Sequence, residues 1–463
     1  MKKLVILGLD CATPQLVFDA WRKDLPNLNA MMTSGRFAKL RSTIPPITVP
    51  AWTAMMTSKD PGTLGFYGFR NRESYDYKSL YFANANYVKD KTVWNYMSRN
   101  RKSSLVFGVP QTYPPKPLNG MMVGCFLTPN KEASYTYPDD VKAELDKAAD
   151  GDYIIDVEEF RTNDKDQLLK DIYVMTERRW KAFRHFYKKD EYDFAMVVEM
   201  GTDRIHHGFW RYMDKEHRLY EPGTRWENAI HDYYVYLDRE IGKTLPLFDK
   251  DTMIMVVSDH GAKGMHGAIC VNEWMRREGY LKLKEEPKKP GSLKMDMVDW
   301  SGTRAWGEGG YYSRIFFNVQ GREPEGQIPK AEYESFRNEV KAKLEAITDE
   351  NGKNIGTRVF KPEEIYRATN RIPPDLIVYF GDLNWRSAGV VGNGQIHMFE
   401  NDTGPDDSNH AQEGIFISNL PAGRFIDGSD LFSIYDIAPT ALSWFGIEVP
   451  ADMIGKNLLK DVG

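Results

Sequence analysis

The chain has 463 residues, 61 Lys+Arg against 66 Asp+Glu for a formal net charge of −5, and 41% hydrophobic with 27% charged residues. That is enough apolar material for a large core, which excludes disorder and collagen-like folds. The near balance of charge argues against holding nucleic-acid polymers on a basic surface. At roughly 150 residues per domain the length permits about three domains, but one large α/β domain with insertions would also use it. Cys11, Cys125 and Cys270 are far apart and match no CxxC or zinc-knuckle spacing, so a reducing compartment is expected. Behind Met1-Lys2-Lys3 the apolar run Leu4–Leu9 stops at Asp10, too short for a secretory segment, and no run of about 18 apolar residues is present. The expectation is a cytoplasmic protein without a membrane span.

Taken in chain order, Leu4–Leu9 is a short, continuous apolar run rich in β-formers. Similar runs follow at Leu105–Val109, Phe194–Val198, Met253–Val257, Leu376–Phe380 and Gly414–Ile417. Runs without alternation suit strands buried on both faces of a parallel sheet. Helical periodicity spans about 166–187 (Leu168, Leu169, Ile172, Phe183, Phe186) and about 225–245 (Trp226, Ile230, Tyr234, Leu237, Ile241). Strands alternating with helices predict an α/β sandwich with helices on both faces of the sheet. Two stretches, about 110–190 and about 284–330, break the pattern with Pro-rich turns, charged helices and Gly- and aromatic-rich sequence. They read as lid segments inserted into a single catalytic domain spanning 1–463.

Polar residues gather where the strands stop. Asp10 follows the first run, Asp203 the run at 194–198, and Asp259-His260 the run at 253–257. Ligands of open α/β sheets sit beyond the carboxyl ends of the strands. Each Asp could instead cap a helix, but three strand ends delivering Asp or His together form a functional signal. Asp203 and His207 are four apart and share a helix face, while His206 points elsewhere. Pro50 predicts the first turn of a helix, which places Thr48 just before an N-terminus, where free N–H groups favour a phosphate oxygen. His410 precedes the run at 414–417. His397 lies 13 residues earlier, and either of the two could be a ligand; His266, close to the Asp259-His260 pair, is intermediate, and His185, His217 and His231 read as structural. Together Asp10, Thr48, Asp203, His207, Asp259, His260 and His410 offer three carboxylates, three imidazoles and one hydroxyl. Mixed N/O ligation without thiolate suits zinc, with manganese or iron as alternatives. Seven donors suffice for two divalent ions, which about 3.5–4 Å apart form a clamp for displacement at phosphorus.

These residues, in this order, resemble the alkaline phosphatase superfamily and, more closely, its type I phosphodiesterase/nucleotide pyrophosphatase branch. The resemblance runs through Gly8-Leu9-Asp10, Thr48-Val49-Pro50-Ala51-Trp52-Thr53, Asp203-Arg204-Ile205-His206-His207, Ser258-Asp259-His260-Gly261, His410 to Gly414, Ser433 to Thr440 and Val449 to Lys456. It implies a three-layer α/β/α sandwich with a mostly parallel central sheet. It also implies one metal on Asp203, His207 and His410 and a second on Asp10, Asp259 and His260, with Thr48 as the nucleophile touching the second. The implied reaction is hydrolysis of phosphodiester or pyrophosphate bonds in a small phosphate-ester or nucleotide-like substrate, through a covalent phospho-threonine and with net retention at phosphorus.

After the nucleophile the chain departs from its relatives. They often carry His-Gly-Ile and then an Asn that contacts phosphate; here the sequence is Leu64-Gly65-Phe66-Tyr67-Gly68-Phe69-Arg70-Asn71-Arg72. Arg70 and Asn71 are the candidates to donate to a phosphate oxygen. Trp52, Phe66, Tyr67 and Phe69 are candidates to stack a flat group, though packing beneath a lid explains them equally well. A sulfatase is set aside because Cys11 does not lie in a Cys/Ser-x-Pro-x-Arg sequence. A phosphomonoesterase of the same superfamily and a non-catalytic metal- or phosphate-binding protein stand as the alternatives.

Overall fold

The computed structural model describes residues 2–426 and 428–460, so the first residue and the last three of the expected domain lie outside it. The described residues form a nine-stranded sheet from β1 (Leu4–Leu9), β2 (Arg36–Arg41), β3 (Ser104–Phe107), β4 (Gly120–Val123), β5 (Thr136–Tyr137), β6 (Phe194–Glu199), β7 (Met253–Val257), β8 (Glu413–Ser418) and β9 (Leu431–Ser433). Their order is β9-β2-β8-β7-β1-β6-β3-β4-β5. The centre, β7-β1-β6-β3-β4, is parallel throughout. β8 runs against both β2 and β7, and β5 runs against β4. Every residue of β1, β6 and β7 is buried, as their unalternating apolar composition requires. One group of helices comprises Lys165–Lys189, Gly201–Met213 and Ala229–Thr244, packed on one another. A second comprises Thr48–Thr57 and Ile437–Trp444. The result is an alkaline-phosphatase-like three-layer sandwich around one large core.

A second hydrophobic core, running from Ile269 to Trp385, rests on a separate four-stranded antiparallel sheet. That sheet is ordered Ala305–Glu308, Ser313–Phe317, Leu376–Tyr379, Arg358–Phe360. It forms a cap beside the sandwich. Three expectations are corrected here. Leu376–Phe380, read as a strand of the main sheet, belongs to the cap, because a fully buried strand looks the same in either sheet. The stretch about 110–190 is largely sandwich: β4, β5 and the helix Lys165–Lys189, which buries Leu168, Ile172, Trp180 and Phe183, all fall within it. Its Pro-rich turns mark connections between those elements. The cap also extends well beyond 284–330 in both directions.

The parallel centre decides where the polar residues go. Register pairs Leu9 with Glu199, and Gly8 with both Val198 and Val257. β6, β1 and β7 therefore end at one level, and the residues after them emerge side by side. Gly8 permits a further contact: a Cβ there would lie 2.5 Å from the ring of Trp52, whose indole N–H donates to Asp10 Oδ2 at 2.7 Å. Replacing Gly8 with Ala is expected to cost about 1–3 kcal/mol through overpacking and to push Trp52 off Asp10. Thermal unfolding together with tryptophan fluorescence checks this, and an unchanged midpoint with an unchanged spectrum contradicts it.

Candidate metal centre

Five elements meet at this sheet edge. Asp10 leaves β1. Cys11 follows in a left-handed conformation (φ 65°), which turns its N–H to Asp259 Oδ1 at 3.2 Å. Asp203 lies in the first turn of the helix Gly201–Met213 and His207 one turn on; His207 Nε2 is 3.2 Å from Asp203 Oδ1. Asp259 and His260 follow β7. His410 is brought beside them by the short strand Ser408–Ala411, which pairs with Gly261–Gly264 so that His410 faces Ala262. Thr48 opens the buried helix Thr48–Thr57. The helix starts two residues earlier than Pro50 suggests, and the Thr48 side chain makes no capping hydrogen bond. Its hydroxyl instead sits 3.4 Å from His260 Nε2.

All seven residues are buried. His410 Nδ1–H donates to the Pro46 carbonyl at 2.7 Å and His260 Nδ1–H to the Gly261 carbonyl at 3.1 Å. Both imidazoles therefore turn Nε2 inward, that of His410 without a partner and that of His260 toward the Thr48 hydroxyl. Burial holds His260 down at about 4, and burial with His260 and His207 alongside holds His410 well below the ordinary range, so both stay neutral. Facing them are the carboxylate oxygens Asp10 Oδ1 and Asp259 Oδ2, which accept no hydrogen bond, and Asp203 Oδ1 beside His207 Nε2; His410 Nε2 is likewise unpartnered. Burial, and then mutual repulsion, raise Asp10 and Asp259 well above the usual carboxylate range. Asp203 is different: burial pushes it up, but His207 and Arg204 outweigh that and hold it well below.

Ligand atoms of Asp203, His260 and His410 lie within 4.8 Å of one another, and so do those of Asp10, Asp259 and His260. His260 thus stands between two groups rather than in one. His207 reaches the first group through the same Asp203 oxygen that His410 Nε2 approaches at 3.8 Å. Lone pairs converging on lone pairs in a water-poor space is an arrangement that divalent cations relieve, so the residues present fit two such ions. The other histidines do not join them. His206 bonds the Tyr234 hydroxyl at 3.1 Å, and His397 bonds the Thr348 carbonyl at 2.7 Å. His266 lies in a separate pocket beside Trp385.

A cleft of about 790 Å³ opens from Thr48, Asp203, His207 and His410 toward the cap. Arg70 and Phe69 line it. Asn71, Phe66 and Tyr67, expected as substrate contacts, do not. Asn71 is buried and spends its amide on the loop, accepting from Tyr67 N–H and donating to the Gly68 carbonyl. Phe66 packs in a small core with Leu64, and the Tyr67 hydroxyl donates to the Asn370 carbonyl. A tight loop has its own polar groups to satisfy first. Trp52, also an aromatic candidate, is fully buried on Asp10.

A profile of the type I phosphodiesterase / nucleotide pyrophosphatase family matches residues 4–406. The chain belongs to this family. No curated protein sequence matches it. Among solved structures, phosphonoacetate hydrolase from Sinorhizobium meliloti 1021 in complex with phosphonoformate is similar, with a TM-score of 0.62 at 17% identity over 95% of each chain. Murine ectonucleotide pyrophosphatase / phosphodiesterase 5 is similar with a TM-score of 0.57 at 11% identity, over 97% of this chain and 96% of that one; it was also solved as an inactive threonine-to-alanine variant in complex with AMP. This member of the phosphodiesterase family is a metal-dependent phosphohydrolase, and superfamily members use two divalent metals.

Sequence reasoning missed the residues that hold the candidate ligands in place. Arg204 donates to Asp203 Oδ2 at 2.6 Å and grips both oxygens of Asp156, which leaves Asp203 Oδ1 for the imidazoles. His207 Nδ1 is 2.7 Å from Asp406 Oδ1, while Asp406 Oδ2 accepts from the Tyr311 hydroxyl at 2.8 Å and Arg161 Nε at 3.0 Å. The Tyr311 ring stacks on His207 at 4.9 Å and 18°. Burial works against a charge on His207, yet Asp406 and Asp203 raise it to about 9. Only the unusual Asp406-Asp407 pair so near His410 could have flagged this group in advance. Asp406→Asn is expected to weaken metal retention roughly 10–100-fold, read by chelator competition; wild-type retention would remove Asp406 from that role.

Proposed function

We propose that the chain hydrolyses phosphodiester or pyrophosphate bonds with two metal ions, most favourably zinc, and with Thr48 as the nucleophile. The observation that carries the proposal is the Thr48 hydroxyl, 3.4 Å from His260 Nε2, at the rim of a buried cluster whose oxygen and nitrogen lone pairs face one another. Asp203, His207 and His410 would hold one ion, and Asp10, Asp259, His260 and Thr48 the other, with His260 close enough to serve either. Such ions supply Lewis acidity, lowering the pKa of the Thr48 hydroxyl and offsetting charge on the departing oxygen. Thr48 Oγ then bonds to phosphorus as the bond to the first alcohol breaks, leaving a phospho-threonine. Water attacks phosphorus from the opposite side and frees Thr48; two inversions give net retention. First-turn N–H groups of the helix Thr48–Thr57 have no carbonyl to bond within the helix and suit a phosphate oxygen. The murine relative's threonine-to-alanine variant, described as inactive, supports the assignment.

The cleft favours diesters over monoesters. A monoester dianion calls for extra cations, but four of the arginines lining the cleft are already paired: Arg161 with Asp406, Arg204 with Asp156, Arg314 with Glu308 and Arg386 with Asp402. Arg72 is outside the cleft, buried against Glu323. Arg70 is the lining arginine without a carboxylate partner among the described residues. A small phosphate ester is thus the proposed substrate class. Among the described residues, no helix is long and apolar enough to cross a membrane. Three buried, unpaired thiols accord with the proposed cytoplasmic setting.

Thr48→Ala should lower turnover at least about a thousandfold while about two tightly bound ions per chain remain. Turnover near wild type would exclude Thr48 as nucleophile, and fewer ions in the wild-type protein would favour a non-catalytic role. Methyl p-nitrophenyl phosphate should show a higher kcat/KM than p-nitrophenyl phosphate; the reverse order identifies a phosphomonoesterase.

A further inference from the structure

The antiparallel ribbon Arg70–Arg72/Leu80–Phe82 follows the nucleophile helix and stands at the mouth of the cleft. Its register pairs Arg70 with Phe82, Asn71 with Tyr81 and Arg72 with Leu80. Directly opposed residues share a face: Asn71 and Tyr81 form a buried side, and on the other side Arg70, Leu80 and Phe82 are exposed while Arg72 is buried. Among the described residues five large hydrophobic side chains are exposed. Three of them lie on this ribbon: Tyr75 at 37%, Leu80 at 41% and Phe82 at 61%. Scattered exposed hydrophobics need no explanation, but Leu80 lines the cleft and Phe82 stands on the same face of the ribbon beside Arg70, which lines it too.

The ribbon is also held rigid. Tyr77 stacks on Trp300 of the cap at 3.5 Å and 5°, and its hydroxyl donates to Asn318 at 2.8 Å. Arg72 pairs with Glu323 at 3.1 Å and lies over the Trp306 ring. Asp76 ties the turn by accepting from the N–H groups of Lys78 and Ser79. Leu80 is therefore presented to the cleft by a braced strand. The cap contributes half-buried Leu293 and Met295 to the same lining, and Phe69 joins them. The cleft thus grades from bare metal-ligand lone pairs at its floor to hydrocarbon at its mouth, with the carboxylate-free guanidinium of Arg70 over the Phe82 ring at 5.3 Å.

We infer that the Leu80–Phe82 strand and the Leu293/Met295 lip form a subsite for a hydrocarbon group, alkyl or aryl, carried by one alcohol of the substrate. This rests on the phosphodiesterase reading and narrows its substrate class. A hydrocarbon meets Leu80, Leu293 and Met295 without giving up hydrogen bonds to water. A monoanionic diester with an apolar ester group meets both ends of the gradient, its phosphate on the floor and its hydrocarbon against the lip.

The test measures binding, so it does not depend on turnover. Calorimetry on the metal-loaded protein compares methylphosphonate, octylphosphonate and phenylphosphonate. Octyl- or phenylphosphonate should bind about tenfold or more tighter than methylphosphonate, and the preferred one tells alkyl from aryl. The double variant Leu80→Ser/Phe82→Ser, whose positions are exposed, should reduce that ratio to about threefold or less with its thermal midpoint retained. If this variant does not fold, Leu293→Ser/Met295→Ser in the same lining provides the same readout. A wild-type ratio near one, or a ratio that survives in the folded variants, overturns the subsite. The phosphodiesterase reading fails separately, through a preference for p-nitrophenyl phosphate over its methyl ester.

Discussion

The structure is organised around one electrostatic conflict. Three carboxylates and three imidazoles are buried together, and several of their lone pairs point at one another instead of at donors. A protein gains nothing in stability from that arrangement by itself, because unpaired buried charge is expensive. The surroundings hold it in place. Trp52 and the Cys11 N–H each take one oxygen of a carboxylate and leave the other bare. Arg204 does the same for Asp203, and backbone carbonyls fix the outward nitrogens of His260 and His410. The donors that could have quenched the cluster are spent on its outer side.

Sheet topology makes the cluster possible. Three adjacent parallel strands, β6, β1 and β7, end in register and deliver Asp203, Asp10 and Asp259 to one edge. The cap then completes the site from above. Tyr311, between two strands of the cap sheet, lies on His207 and bonds Asp406, so the position of the cap is coupled to the orientation of an imidazole on the sandwich. The Arg70–Phe82 ribbon, braced on the cap by Tyr77 and Arg72, joins the two bodies at the cleft mouth. The candidate metal ligands come from the sandwich, whereas much of what shapes the cleft comes from the cap and its braces.

What could be read in advance differs from residue to residue. Leu4–Leu9 and Met253–Val257 form strands over the full predicted runs, because continuous apolar sequence between polar ends has few other uses. The donors following those strands were legible for the same reason, since a polar residue just beyond a buried strand stands out. Leu376–Tyr379 shows the limit: its composition declares a buried strand but not which sheet it enters. Asn71 and Phe66 show another, for a loop residue's own backbone competes for its side chain in a way that sequence spacing does not reveal.

Local composition determined the strand runs, the donor set and the family resemblance, because these depend on residue type and short-range order along the chain. Tertiary structure alone decided which oxygens stay unpartnered, which arginines are already neutralised and which hydrophobic side chains stand open at the cleft. Those properties belong to pairs of atoms from segments such as 70–82, 156–161, 311 and 406, and only the packing of cap on sandwich brings such segments within a hydrogen bond of one another.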